Sequence, residues 1–267
     1  MRPEKHSRNQ SGFTLVELAV VMLIVALLIG GMLLPISAQH DVTARLTTEK
    51  SLTDIREALI GYAIVNGRLP CPADRAIATG AATAGIEVTT GTGAALTCAC
   101  ATGPTLVATT GAIACGNAGP VTGVVPWATL GLSETDYWGE RFTYSVTARF
   151  ARAATGQTDF GTCTPTTNPT SAAFALCSPG DITINTAAAG GTSLASTLPA
   201  VIVSHGKNII GAWLTGGSKS TLTAAGDELE NSNDDAIFVS NTTIDDQLIW
   251  IPTSTLMARM LAAGKLP

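Results

Sequence analysis

The chain has 267 residues and a formal charge of −5, and only 13% of its residues are Asp, Glu, Lys or Arg. An ordinary soluble domain carries about 25%, so the composition speaks against a highly charged cytosolic enzyme. The acidic balance also offers no broad basic face for nucleic acid. Aromatics are 5%, and Gly, Ala and Thr fill the difference, which points to a loop-rich protein outside the cytoplasm.

Residues 1–12 form a short basic leader, with Arg2, Lys5 and Arg8 against Glu4, ending in the small Gly12. The stretch 13–34 is apolar, with Glu17 its one ionisable residue. As a helix it reaches about 33 Å, enough to cross a bilayer core of about 30 Å. Polar Ser37, Gln39, His40 and Asp41 follow it, so the positive-inside rule puts the leader in the cytoplasm and the bulk outside. A carboxylate within such a span costs about 2.5–3.5 kcal/mol on insertion scales. One account is that Glu17 lies near the membrane surface and reaches water; the other is that it waits for a counter-charge.

The segment Gly12-Phe13-Thr14-Leu15-Val16-Glu17-Leu18, placed between a basic leader and an apolar run, resembles the processing signal of type IV prepilins and type II secretion pseudopilins. An ordinary secretory signal is cut after its apolar region; this family is cut before it. The resemblance implies removal of residues 1–12 by the prepilin peptidase, at the Gly12–Phe13 bond, and methylation of the new Phe13 amine. Glu17 then matches the family's assembly glutamate, which pairs with a neighbouring subunit's amino terminus. Implied partners are other pilin or pseudopilin subunits, the peptidase, an inner-membrane assembly platform and the lipid bilayer. The implied location is the bacterial inner membrane, single-pass with a periplasmic head, and then a filament. No cofactor is implied.

The expected fold is α+β: a long N-terminal helix packed on a small antiparallel β-sheet head with long disulfide-tied loops. Pro35 marks a kink or the exit from lipid. From 35 to 66 an amphipathic helix carries Val42, Leu46, Leu52, Ile55, Leu59 and Tyr62 on one stripe, and Asn66-Gly67 with Pro70 ends it. Span and amphipathic part together make one helix of roughly 50 residues, and residues 67–267 form the head. From about 76 to 125 the chain is low in complexity, with Glu87 its single charge, and reads as a long surface loop with short strands, a segment that in pilins faces partners.

All six cysteines follow the span. An even count in an exported domain favours disulfides, with Cys163–Cys177 the local pair and Cys71, Cys98, Cys100 and Cys115 forming two more in an undetermined order. A metal at Cys98-Ala99-Cys100 is the weaker reading, because the spacing is short and no histidine is near. Phe142, Tyr144, Val146 and Ala148 alternate with Thr143, Ser145, Thr147 and Arg149, a half-buried strand. Trp127 and Trp138 read as buried anchors in preference to a sugar-binding platform. Strands are expected at 182–184, 198–203, 235–239 and 248–251, helix or strand at 209–214, and a terminal helix at 253–263 with Leu256, Met257, Met260 and Leu261 on one side.

Ser204-His205-Gly206 invites a hydrolase reading. A nucleophile elbow needs a glycine where Ile202 stands, and no acid is identifiable to orient His205. A strand-ending turn is the stronger reading, and catalysis is not expected. Asp227, Glu228, Glu230, Asp234 and Asp235 form a candidate calcium loop, with Asp245 and Asp246 close behind; the spacing is not that of an EF-hand loop, and a solvated acidic turn is the plainer reading. The whole then reads as a pilin-like structural subunit, a minor pilin or pseudopilin. The alternatives are a filament-tip binding module for adhesion, DNA uptake or secreted-substrate contact, and a membrane-anchored enzyme that no residue grouping supports.

Overall fold

The computed structural model describes residues 12, 14–98, 114–115, 120–158 and 160–267, and of residues 30–38 and 114–115 the backbone alone. The chain divides into two compact units, Met1–Ala44 and Arg45–Pro267. One helix, α1 (Leu15–Asn66), runs for 52 residues through the Pro35 position, so the two expected helical segments are a single element. From Leu15, at 86%, to Ile29, at 57%, its apolar residues are exposed. Part of the expected span 13–34 lies outside the described residues. Among those described, no helix is long and apolar enough to cross a membrane.

The second unit is the head. Its strands are β1 (Thr89–Thr90), β2 (Thr97–Cys98), β3 (Ala114–Cys115), β4 (Pro120–Val124), β5 (Glu140–Arg141), β6 (Thr143–Thr147), β7 (Ile182–Asn185), β8 (Ser193–Leu198), β9 (Ala200–Ser204), β10 (Trp213–Leu214), β11 (Ile237–Val239) and β12 (Gln247–Ile251). Its own helices are α2 (Trp127–Leu130), α3 (Gly226–Glu230) and α4 (Thr253–Ala262). The central sheet has the order β12-β9-β6-β4-β3 and is antiparallel throughout. A second sheet, β11-β7-β8, pairs β11 with β7 in parallel, so the head is not wholly antiparallel.

Three layers result. On one face of the central sheet, Leu52, Ile55, Leu59, Ile60 and Ala63 of α1 pack with Tyr144, Val146, Ile202, Ile251 and, from α4, Leu256 and Met260. On the other face Val201 and Val203 pack with Ile182, Ile184, Leu198 and Phe238. This second cover explains why all five residues of β6 are buried; the half-buried alternation expected there fails because neither face is left to water. The buried residues of the helix also differ from those expected: Val42 is 57% and Leu46 61% exposed, whereas Ala44, Thr48 and Leu52 are buried.

Other differences are local. Pro120–Val124 lies within the stretch expected as loop, yet pairs with β6 and is buried. Pro199 divides the expected run 198–203 between β8 and β9. Of 209–214 only Trp213–Leu214 is a strand, and Leu261 points outward at 50% exposure. The disulfides Cys71–Cys98 and Cys163–Cys177 are present. Cys100 and the side chain of Cys115 lie outside the described residues.

The turn after α1 depends on Gly67, whose φ of 71° is left-handed. A Cβ there would run into the Ser171 carbonyl oxygen and lie 2.9 Å from Ala154 Cβ. Left-handed backbone costs an L-residue about 1–2 kcal/mol before any clash. Gly67→Ala is therefore expected to lower the melting temperature by about 5 °C or more, read by circular dichroism. An unchanged melting curve would refute this account of the turn.

Candidate assembly site and the polar interior of the head

Gly12 is exposed, with nothing within 4 Å of a Cβ built on it; residues 1–11 and Phe13 lie outside the described residues. Thr14 and Glu17 form a reciprocal cap at the start of α1. Glu17 Oε2 accepts from Thr14 N–H at 2.9 Å and from Thr14 Oγ1 at 2.9 Å, while Glu17 N–H donates to Thr14 Oγ1 at 3.3 Å. This is the Thr-x-x-Glu capping box, legible in the residues themselves, and it ties up donors that a helix start leaves orphaned. Glu17 is thus held at the helix end among exposed apolar neighbours, Val16 at 71% and Leu18 at 57%.

In the head, Ser204 and His205 do not face one another. Ser204 Oγ donates to Asp136 Oδ2 at 2.6 Å, and His205 Nε2 pairs with Thr143 Oγ1 at 2.8 Å across the sheet. Both residues are fully buried. Adjacent strand residues point to opposite faces, which is why no hydrolase constellation forms. The strand-ending turn is present as well: Gly206 N–H donates to Ser204 Oγ at 3.4 Å and Ile210 N–H to Asn208 Oδ1 at 2.8 Å.

Burial and the nearby Lys219 charge push the His205 imidazole down to about 3. Its Nδ1 lies 4.0 Å from Asp246 Oδ2 and has no hydrogen-bond partner. Burial, with Glu228 and Asp245 adding repulsion, pushes Asp246 up to about 7 despite the 2.8 Å bond from Asn231 Nδ2. Burial and the Asp136 charge likewise bring Glu140 up to about 7.

The acidic stretch does not converge. Asp227 accepts from Ala188 N–H and Asn241, Glu228 from Asn208, and Asp235 from Asn233 and Ile237 N–H. Asp234 pairs both its oxygens with Arg75 at 2.6 and 2.7 Å. Among the described residues no three His, Cys, Asp or Glu gather as a group that could hold a metal. The candidate calcium loop is corrected accordingly: Glu230 shares Asn233 with Asp235, and the other carboxylates are dispersed to separate partners that fasten the loop.

Arginines were the signal that reading by motif missed. Arg141 is fully buried; it bonds Glu134 at 2.8 Å, the Arg75 carbonyl at 3.0 Å and the Thr215 carbonyl at 3.1 Å, and stacks 4.8 Å over Trp127. Arg75 stacks 4.8 Å over Trp213. Trp127 is the buried anchor expected, whereas Trp138 is half-buried and meets Tyr137 edge-on. Glu87, the lone charge expected in the loop, accepts from Arg68 at 2.8 and 2.9 Å, Tyr62 at 2.7 Å and Cys71 N–H at 3.0 Å. Burial alone would raise the Glu87 pKa, but these four bonds more than offset it, and it lies below the ordinary carboxylate value.

Comparison with curated proteins and with solved structures finds no match. Over residues 7–33 the chain carries the prokaryotic N-terminal methylation motif, which is the prepilin-type motif of type IV pilins and pseudopilins.

Proposed function

We propose that this chain is a minor pilin or pseudopilin, a structural subunit processed at Gly12–Phe13 and assembled through α1 into a type IV pilus or a type II secretion pseudopilus. Before assembly it sits in the bacterial inner membrane with its N-terminus in the cytoplasm and its head in the periplasm. The prepilin peptidase and an assembly platform handle it there. The methylation motif at 7–33 carries the reading; the exposed apolar surface of α1 and the position of Glu17 support it. A helix this apolar is covered by lipid or by like helices, and a carboxylate on it favours the arrangement that brings a cation alongside.

Glu17→Ala separates processing from assembly. The mature variant is expected to begin at Phe13 by N-terminal sequencing, like the parent, but to fall at least tenfold in the sheared filament fraction. A mature parent chain that begins at Met1 overturns the reading. A Glu17→Ala chain that enters filaments normally removes Glu17 from it.

A further inference from the structure

The strand β12 is an edge of the central sheet: it pairs with β9 on one side, and among the described residues no strand follows on the other. Alternate residues of such an edge turn their N–H and C=O groups outward. Natural edges are blunted by charge or proline, yet β12 reads Gln247-Leu248-Ile249-Trp250-Ile251, with Pro252 only after its end. Beside it runs a groove of about 550 Å³. One wall is α1, through Arg45, Glu49 and Arg56; the other is Gln247 and Ile249 with Asp246, whose side chain is fully buried. The helix residues recur at spacings that keep them on one face.

The wall chemistry narrows the occupant. Ile249 is only half-buried and turns toward the α1 side of the sheet, so the floor is apolar. Gln247 Nε2 has no acceptor. Arg56 touches only the exposed Glu57 at 3.6 Å, and Arg45 forms no ion pair among the described residues. Two guanidiniums against Glu49 leave the helix wall cationic. An outward row of backbone groups, an apolar floor and a cationic wall suit an extended backbone with apolar residues on one side and carboxylates on the other.

We propose that β12 and the facing stretch of α1 bind an extended, carboxylate-bearing segment of another protein, which joins the central sheet as an added strand. The five residues of β12 offer about 17 Å of edge. This goes beyond the assembly reading and does not depend on it.

The test uses the full chain in detergent micelles and a fluorescein-labelled octapeptide alternating valine with threonine, with one aspartate and one glutamate on the threonine side. Fluorescence anisotropy is expected to show saturable binding, about tenfold weaker when the two acids become amides. Binding should be lost when alternate backbone nitrogens are methylated, since strand pairing then has no donors. The Arg45→Glu, Arg56→Glu double variant, both positions outside the core, should keep its melting temperature and its circular dichroism spectrum while losing at least tenfold in peptide affinity. No binding at millimolar peptide overturns the proposal, as does equal binding of the methylated peptide or by the double variant. A dimer in sedimentation that excludes the peptide would give the groove to a second copy and also overturn it.

Discussion

Arg141→Ala should lower the melting temperature of the head by about 10 °C, the largest effect expected of a single side chain here. The guanidinium is fully buried and serves Glu134, the Arg75 and Thr215 carbonyls and the Trp127 ring together. Truncation would leave Glu134, whose side chain is 16% exposed, with the Thr79 hydroxyl in place of a cation, and would take the Arg141 donor from the Arg75 carbonyl, while the Thr215 carbonyl keeps Thr79. Removing one partner of a buried pair costs about 3–5 kcal/mol, and at this size each kcal/mol moves the midpoint by about 2–4 °C. Arg141→Lys should recover only part of the loss, because an ammonium cannot present the planar fork or stack in the same way. Thermal melts of the three chains decide the matter; an Arg141→Ala midpoint within about 2 °C of the parent would refute the assignment.

The head should be more stable in mild acid than at neutral pH, against the usual behaviour of paired carboxylates. Asp246 ordinarily titrates at 3.8 and Glu140 at 4.5, and both stand at about 7 in the fold. Between those values the folded chain holds protons the unfolded chain has released, so stability falls as pH rises from about 4 to 7. His205 acts oppositely: its pKa goes from 6.5 to about 3, so stability falls as pH drops through that interval. Two carboxyls against one imidazole leave a net decline between about pH 4.5 and 7. Urea melts at about pH 5 and 7.5 should show it. Asp246→Asn, which imitates the protonated side chain, should stabilise the chain by about 2 kcal/mol at the higher pH and flatten the profile, as should Glu140→Gln. A parent more stable at about pH 7.5 than at 5 would contradict these assignments.

The N-terminal region was readable because its signals are local: a basic leader, Gly12, and Glu17 in an otherwise apolar stretch. Helix α1 and the apolar strands β9 and β12 announced themselves by periodicity. Strand β4 did not, since Pro120-Val121-Thr122-Gly123-Val124 has the composition of a loop and becomes a strand only because β6 lies beside it. The hydroxyl side of β6 looked solvated because nothing in it foretold the second sheet. Ile209 and Asp234 take left-handed backbone, φ 57° and 67°, which residue type alone would not suggest. The acidic stretch misled because charge density along a chain does not say where each carboxylate points; Arg75, Asn208 and Asn241 decide that from distant positions.

The cluster that seats α1 on the sheet draws on both ends of the head, from Leu52 to Leu266. That pairing sets an order of events for the growing chain. Until β12 and α4 have been made, the inner face of α1 has only part of its cover, so the nascent head cannot close. Contacts spanning some two hundred residues are slow to form, and a chain waiting on them exposes apolar surface. An N-terminal segment held in a bilayer would keep such a chain tethered while its last strand and helix arrive. Loss of the final residues should therefore cost the whole head, whereas loss of an equally long internal loop would be local.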